Sequence, residues 1–174
     1  MSGWTMTSPT DRFAGPVLGL AGATASGTYG LPHAFHGEVV AEAGDVRDVA
    51  ARAIDVTVAV LGPCRGEVHA VMTDGCVTIT AQWLPGVVVT LIAGLAVAGA
   101  DEINRYRLLG SGGQAYIDVT GPAFTLVGPE RSTVAYGPSP AERAAGTSGA
   151  ADELVAAVLD ACQRSAASGQ PESV

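Results

Sequence analysis

Asp48, Arg52 and Asp55 are spaced one helical turn apart, which brings opposite charges into contact along one helix face. Such a row can anchor a carboxylate, a carbonyl or a hydroxyl; the plainer alternative is a surface ion pair, which contributes little. A guanidinium stays protonated at any working pH, so Arg52 can bind or polarise but cannot trade a proton as an imidazole does. His33 and His36 flank Phe35 in a stretch rich in glycine and proline. They suit acid or base work at a pocket mouth, or belong to an ordinary polar loop, and no third ligand is spaced to complete a metal site. His69 falls in a strand-like run, where a satisfied core or interface histidine is the alternative. Trp83, Met72, Tyr106 and Tyr116 stand out in a chain that is only 5% aromatic. Together they could line an apolar cavity for a polyene, polyketide or terpenoid-like molecule, with Tyr29, His69 or Arg52 polarising it. Packing in the core or at a dimer interface is the competing reading.

Other chemistry is excluded by what is missing. The nine basic residues are all arginine, so neither a Schiff-base lysine nor a P-loop lysine exists. There is no Gly-x-Ser-x-Gly, no convincing pair of carboxylates and no Cys–His pairing. Cys64, Cys76 and Cys162 are odd in number and lack a C-x-x-C spacing, which reads as free thiols in a reducing cytoplasm, with no zinc. A net charge of −8 repels phosphate backbones, so no nucleic-acid partner is expected. Residues 87–100 are too short and too β-branched for a membrane span, and residues 1–11 read as a polar tail without a signal peptide.

Positioning these residues falls to a chain of 174 residues, enough for one domain with a real core. Residues 15–26, small and apolar, read as a first strand. Residues 27–44 read as a loop with a short extended piece at 38–41. Residues 45–61 repeat apolar side chains at 3.6-residue spacing, with Asp45 as cap and Gly62-Pro63 as stop, and read as a helix. Strand-like runs follow at 67–73, 76–84, 87–98, 105–109, 114–120, 123–127 and 133–136. Asp74-Gly75, Pro85-Gly86 and the glycines at 110–113 separate several of them, and tight turns make such strands antiparallel. Residues 138–149 read as a loop and 151–164 as a last helix. The fold class is therefore α+β, an open, mostly antiparallel mixed sheet with helices on one face, spanning residues 12–172. The run 87–98 is apolar on both faces, so both sides of the sheet should be covered, one by helix and the other by a second subunit or a ligand.

The order Gly44-Asp45-Val46-Arg47-Asp48-Val49-Ala50-Ala51-Arg52-Ala53-Ile54-Asp55, closing with Leu61-Gly62-Pro63, resembles the substrate domain of the Gfo/Idh/MocA oxidoreductase family. The hairpin Leu108-Leu109-Gly110-Ser111-Gly112-Gly113-Gln114-Ala115-Tyr116-Ile117-Asp118 and the tail from Arg164 to Pro171 are similar to that family as well. The resemblance implies the α+β fold and a homodimer. It also implies that Arg52 stands where the family's pattern has its active-site histidine. Family members place a nucleotide-binding domain ahead of this one. Gly19-Leu20-Ala21-Gly22 is no dinucleotide fingerprint, because no G-x-G-x-x-G, following helix or ribose-binding acid completes it.

Two functions follow as expectations. One is a cofactor-free enzyme of natural-product metabolism that shapes a small apolar molecule for cyclisation, such as a cycloaddition in antibiotic biosynthesis, or for isomerisation, by holding it in a reactive conformer. The other is a non-catalytic subunit that pairs with a full-length oxidoreductase. Neither requires a cofactor in this chain, and a stand-alone nicotinamide-dependent dehydrogenase is not expected.

Overall fold

The computed structural model describes residues 10–120, 126–127, 132–133 and 150–174. Seven strands form one mixed sheet in the order β6-β5-β1-β4-β3-β2-β9. They are β1 (Pro32–Ala41), β2 (Glu67–Met72), β3 (Cys76–Leu84), β4 (Val87–Leu95), β5 (Ile103–Gly110), β6 (Gly113–Asp118) and β9 (Glu172–Ser173); β7 (Leu126–Val127) and β8 (Ser132–Thr133) pair separately. Among the described residues, only the β1–β4 pair is parallel and every other ladder is antiparallel. Helices α1 (Gly15–Ala25), α2 (Val46–Leu61) and α3 (Ala150–Ser168) lie on one face. This is the α+β open sheet expected from the sequence.

Helix α2 forms where the 3.6-residue periodicity places it. The Asp45 carboxylate accepts the Arg47 backbone N–H at 2.9 Å, an N-cap, and Gly62 ends the helix at φ 78°. Its apolar stripe packs over β4 and β1, while α1 and α3 pack against its flanks. Being covered on several sides, it buries Asp55 and Thr57 along with its valines and alanines.

Three expectations are corrected. Residues 15–26 form helix α1, not a strand: Pro16 sits in the first turn, where a missing N–H costs nothing, and Val17 and Leu20 bury one face. A short apolar run of glycine and alanine does not distinguish the two by period. Residues 32–41 form one continuous strand, not a loop with a short extended end. Phe35, Gly37, Val39 and Ala41 point inward and His36 and Glu38 outward, so His33 and His36 are strand residues. Strand β4 ends at Leu95, before the expected 98, in a turn closed by Ala100 N–H donating to the Val97 carbonyl at 2.9 Å. Parts of the runs 123–127 and 133–136, and the loop 138–149, lie outside the described residues.

On the other face of the sheet, β4 presents Val88, 51% exposed, with Thr90 and Ile92 half-buried, flanked by exposed Thr78, Thr80 and Gln82 of β3. The helices of this chain cover one side of the central strand; among the described residues nothing covers the second.

Gly37 of β1 lies opposite Tyr106 of β5. A Cβ there would meet two Tyr106 ring carbons at 2.8 Å and a Leu91 methyl at 2.9 Å. Replacing Gly37 with alanine should therefore overpack the core by about 1–3 kcal/mol, read as a lower urea midpoint at unchanged slope.

Candidate functional site

A charged cluster gathers where a short turn ahead of α1 meets α2, the start of β5 and α3. Residues Asp11–Phe13 form a single 3-10 turn. The Arg12 backbone N–H donates to Asp55 Oδ2 at 2.9 Å, and Arg12 Nε stands 2.6 Å from Asp55 Oδ1. The Arg12 guanidinium also reaches Asp152 of α3. With Arg12 so held, the neighbouring Asp11 carboxylate lies against α2 and β5. Its Oδ2 accepts from Arg52 Nε at 2.9 Å and from Asn104 Nδ2 at 2.9 Å. Arg52 Nη1 donates to Glu102 Oε1 at 2.8 Å.

Burial works against the Arg52 cation, but the Asp11 and Glu102 carboxylates more than offset it and hold its pKa above the ordinary arginine value. Asp55 is sealed from solvent, and the loss of hydration pushes its carboxyl up to about 7 against the pull of Arg12. Tyr106, 1% exposed, stacks on Phe35 with ring centroids 5.8 Å apart. Burial lifts its hydroxyl well above the usual phenol range, with Asp11, Arg52 and Asp55 close enough to act on it. That hydroxyl and Asn104 Oδ1 are buried without a hydrogen-bond partner among the described residues. The cluster can therefore present a fixed cation, amide donors and a neutral hydroxyl, and it holds carboxylates on both arginines.

The residues singled out from sequence are scattered over the fold. Arg52 and Tyr106 meet at this cluster. Tyr116, 41% exposed on the open face, borders a depression of about 190 Å³ with Tyr106, His36, Glu38, Arg105 and Arg107. His69 is exposed on β2, opposite Thr80. Met72 edges a polar groove of about 620 Å³ with Asp45, Arg47, Asp74 and Gln163. Trp83 is fully buried and its Nε1 donates to the Gly62 carbonyl at 2.9 Å, tying β3 to the end of α2. Tyr29 is buried after α1, and its carbonyl accepts the Gly112 N–H at 2.9 Å at the β5–β6 turn. Asp48 is exposed, and Arg52 turns to Asp11 and Glu102 rather than along its own helix as expected. Likewise Asp55 pairs with Arg12. Asp11 itself, grouped with the tail in the sequence reading, opens the first turn. Sequence reasoning missed Asp11, Arg12, Glu102, Asn104 and Asp152. The one visible signal was Asn104, a polar residue on the inward register of a strand. The three cysteines are free thiols, and no metal-binding group of side chains occurs among the described residues.

No protein-family model matches the sequence, and no curated protein does. The fold, however, is shared with solved oxidoreductases. An oxidoreductase from Agrobacterium radiobacter, in complex with NAD+, L-tartaric acid and magnesium, superposes with a TM-score of 0.73 at 16% identity, over 97% of this chain and 64% of its own. The aldose-aldose oxidoreductase of Caulobacter crescentus, complexed with glycerol, gives 0.76 at 15% identity over 97% and 63%. Levoglucosan dehydrogenase with NADH and levoglucosan gives 0.78 at 16% identity over 95% and 64%. The chain thus has an oxidoreductase-type fold and spans a little under two thirds of the length of these structures, in keeping with the domain-sized resemblance drawn from its sequence. Among the described residues, no helix is long and apolar enough to cross a membrane.

The Asp55 carboxyl titrates near 3.8 when unfolded and near 7 when folded. Between those values the folded chain keeps a proton that the unfolded chain has released, so stability should fall as pH rises from about 4 to about 7. Chemical denaturation at stepped pH reads that slope, and Asp55→Asn should flatten it over this window.

Proposed function

We propose that this chain is the ligand-holding and assembly half of an oxidoreductase-type protein, not catalytic by itself, which associates with a second copy through the open face of its sheet and depends on a separate nucleotide-binding unit for any redox step. The observation that carries this reading is the side of β4 that nothing among the described residues covers. Val88, Thr90 and Ile92 sit at the middle of the seven-stranded sheet. Around them lie Ala34, His36 and Glu38 of β1, the last two directly beside Thr90 and Ile92, and Thr78, Thr80 and Gln82 of β3. Arg105, Arg107 and Asp118 form one rim and Glu67 and His69 the other. A centre that mixes aliphatic and hydroxyl side chains, with the His36–Glu38 pair inside the rim, suits a non-obligate interface, whose composition is close to that of ordinary protein surface. A two-fold axis through β4 makes that contact self-complementary.

The absence of hydride chemistry in this half rests on two features. The strand-to-helix turn from β1 to α2 reads Glu42-Ala43-Gly44-Asp45, with one glycine and two acids where a pyrophosphate would need glycines and bare N–H groups. Arg52, at the place the family resemblance gives to histidine, cannot exchange a proton. The neighbours' ligands, tartaric acid, glycerol and levoglucosan, are small and hydroxylated, and the Arg52 cluster is polar in the same sense. Trp83, which would line a cyclase pocket, is sealed in the core, and neither the groove nor the depression described above includes it.

Sedimentation velocity at micromolar concentration should give a particle of twice the 17.4 kDa chain mass, and Thr90→Arg, at the centre of the face, should return the monomer. A wild-type monomer throughout that range, or saturable NADH binding by the chain alone, would overturn the proposal.

A further inference from the structure

We propose that Arg52, Asn104 and Tyr106 form a site for the carboxylate of a small hydroxycarboxylate, and that the chain's own Asp11 fills this site as an internal stand-in. The inference rests on the reading of this domain as ligand-holding and names the chemical class of the ligand.

Donors from two elements converge on one oxygen: Arg52 Nε from α2 and Asn104 Nδ2 from β5, each 2.9 Å from Asp11 Oδ2. A third donor stands by. The Tyr106 hydroxyl lies close enough to Asp11 and Arg52 to feel both charges, is sealed from solvent, and has no partner among the described residues. Buried hydroxyls are nearly always satisfied, and a protonated phenol donates. A carboxylate offers about four lone-pair sites, enough for all three donors, whereas Asp11 uses only one oxygen for two of them. Glu102 completes the class assignment: it holds Arg52 Nη1 at 2.8 Å while its side chain is 42% exposed. Its carboxylate is thus placed to accept a hydroxyl next to the bound carboxylate.

Exchange is physically easy. Replacing one carboxylate by another on the same cation leaves no buried charge unpaired, which is the usual penalty for opening an ion pair. Asp11 sits at the head of a three-residue turn, and Arg52 is 28% exposed, so the rim of the pair meets solvent. As a tethered competitor, Asp11 has a high effective concentration. Simple carboxylates must therefore bind the wild-type chain weakly and bind tightly once Asp11 is gone.

The test is an acetate titration of Asp11→Ala against sodium chloride at equal ionic strength, followed by thermal melting. Acetate, but not chloride, should raise the melting temperature saturably, with a half-saturation at least about tenfold below that of the wild type. Glycolate should bind more tightly than acetate, and Glu102→Ala should erase that difference. Adding Arg52→Gln or Tyr106→Phe to Asp11→Ala should weaken the acetate response severalfold. Should Asp11→Ala not fold, the Arg52 Nε–H resonance of the wild-type chain, followed by 15N NMR, should shift saturably with glycolate. Superimposable acetate and chloride curves in the folded variant would overturn the proposal. So would an acetate response untouched by Arg52→Gln or, where the wild type is the sample, an Arg52 resonance indifferent to glycolate. No nucleotide or dimer enters the readout, so its failure is separable from failure of the assembly reading.

Discussion

The Asp55 carboxylate, sealed inside the helical layer, is the constraint on which the charged end of the molecule depends. Once it ionises, above about pH 7, such a buried carboxylate left without its cation typically costs about 3–5 kcal/mol, so Asp55 requires Arg12. Arg12 answers with its backbone N–H as well as its guanidinium, and that fixes the chain rather than only a side chain. Once residue 12 is pinned to α2 and linked to Asp152 of α3, residue 11 is held within reach of Arg52 and Asn104. One buried acid thus organises the first turn, two helices and the start of β5.

The sheet meets a second requirement, which is to bring large side chains close without strain. Gly37 leaves room for the Tyr106 ring, Phe35 stacks on that ring, and Trp83 bonds to the carbonyl of the glycine that ends α2. These contacts lock β1 to β5 and tie β3 to the helical layer. They also explain why aromatic residues that look like pocket walls in a sequence turn out to be mostly structural. In a chain with so few aromatic rings, each is worth most where it is fully buried.

Local pattern made much of this legible. The periodicity of α2, its Asp45 cap and Gly62 stop, and the strands with tight turns follow from local chemistry and lie where it put them. The first helix did not, because Gly15 to Ala25 is too small and uniformly apolar to carry a period. Strand β1 hid behind Pro32, Gly37 and two histidines, since its inward alternation of Phe35, Val39 and Ala41 is broken by a glycine needed for Tyr106. The charged cluster was illegible for a different reason. Its pairs join residues far apart in the chain, Asp11 with Arg52 and Arg12 with Asp55. Helical spacing suggested nearer partners that the structure does not use: Asp55 is taken by Arg12, and Arg52 meets Asp11 of the 3-10 turn and Glu102 of the loop before β5.

The open face and the charged cluster place different demands on the same strands. Along β5, Asn104 and Tyr106 face inward and Arg105 and Arg107 outward. A period of two therefore separates residues that can hold a ligand from residues that can meet a partner chain. Substituting an outward residue changes the open face without entering the cluster, and substituting an inward one changes the cluster without touching the face. A single-residue slip of β5 would exchange the two sets. The ladders to β1 and β6 prevent it, because such a slip would drive both arginines into the layer packed by α2. The same register that hides Tyr106 thus keeps the charge of Arg105 and Arg107 in solvent, and neither assignment can change without the other.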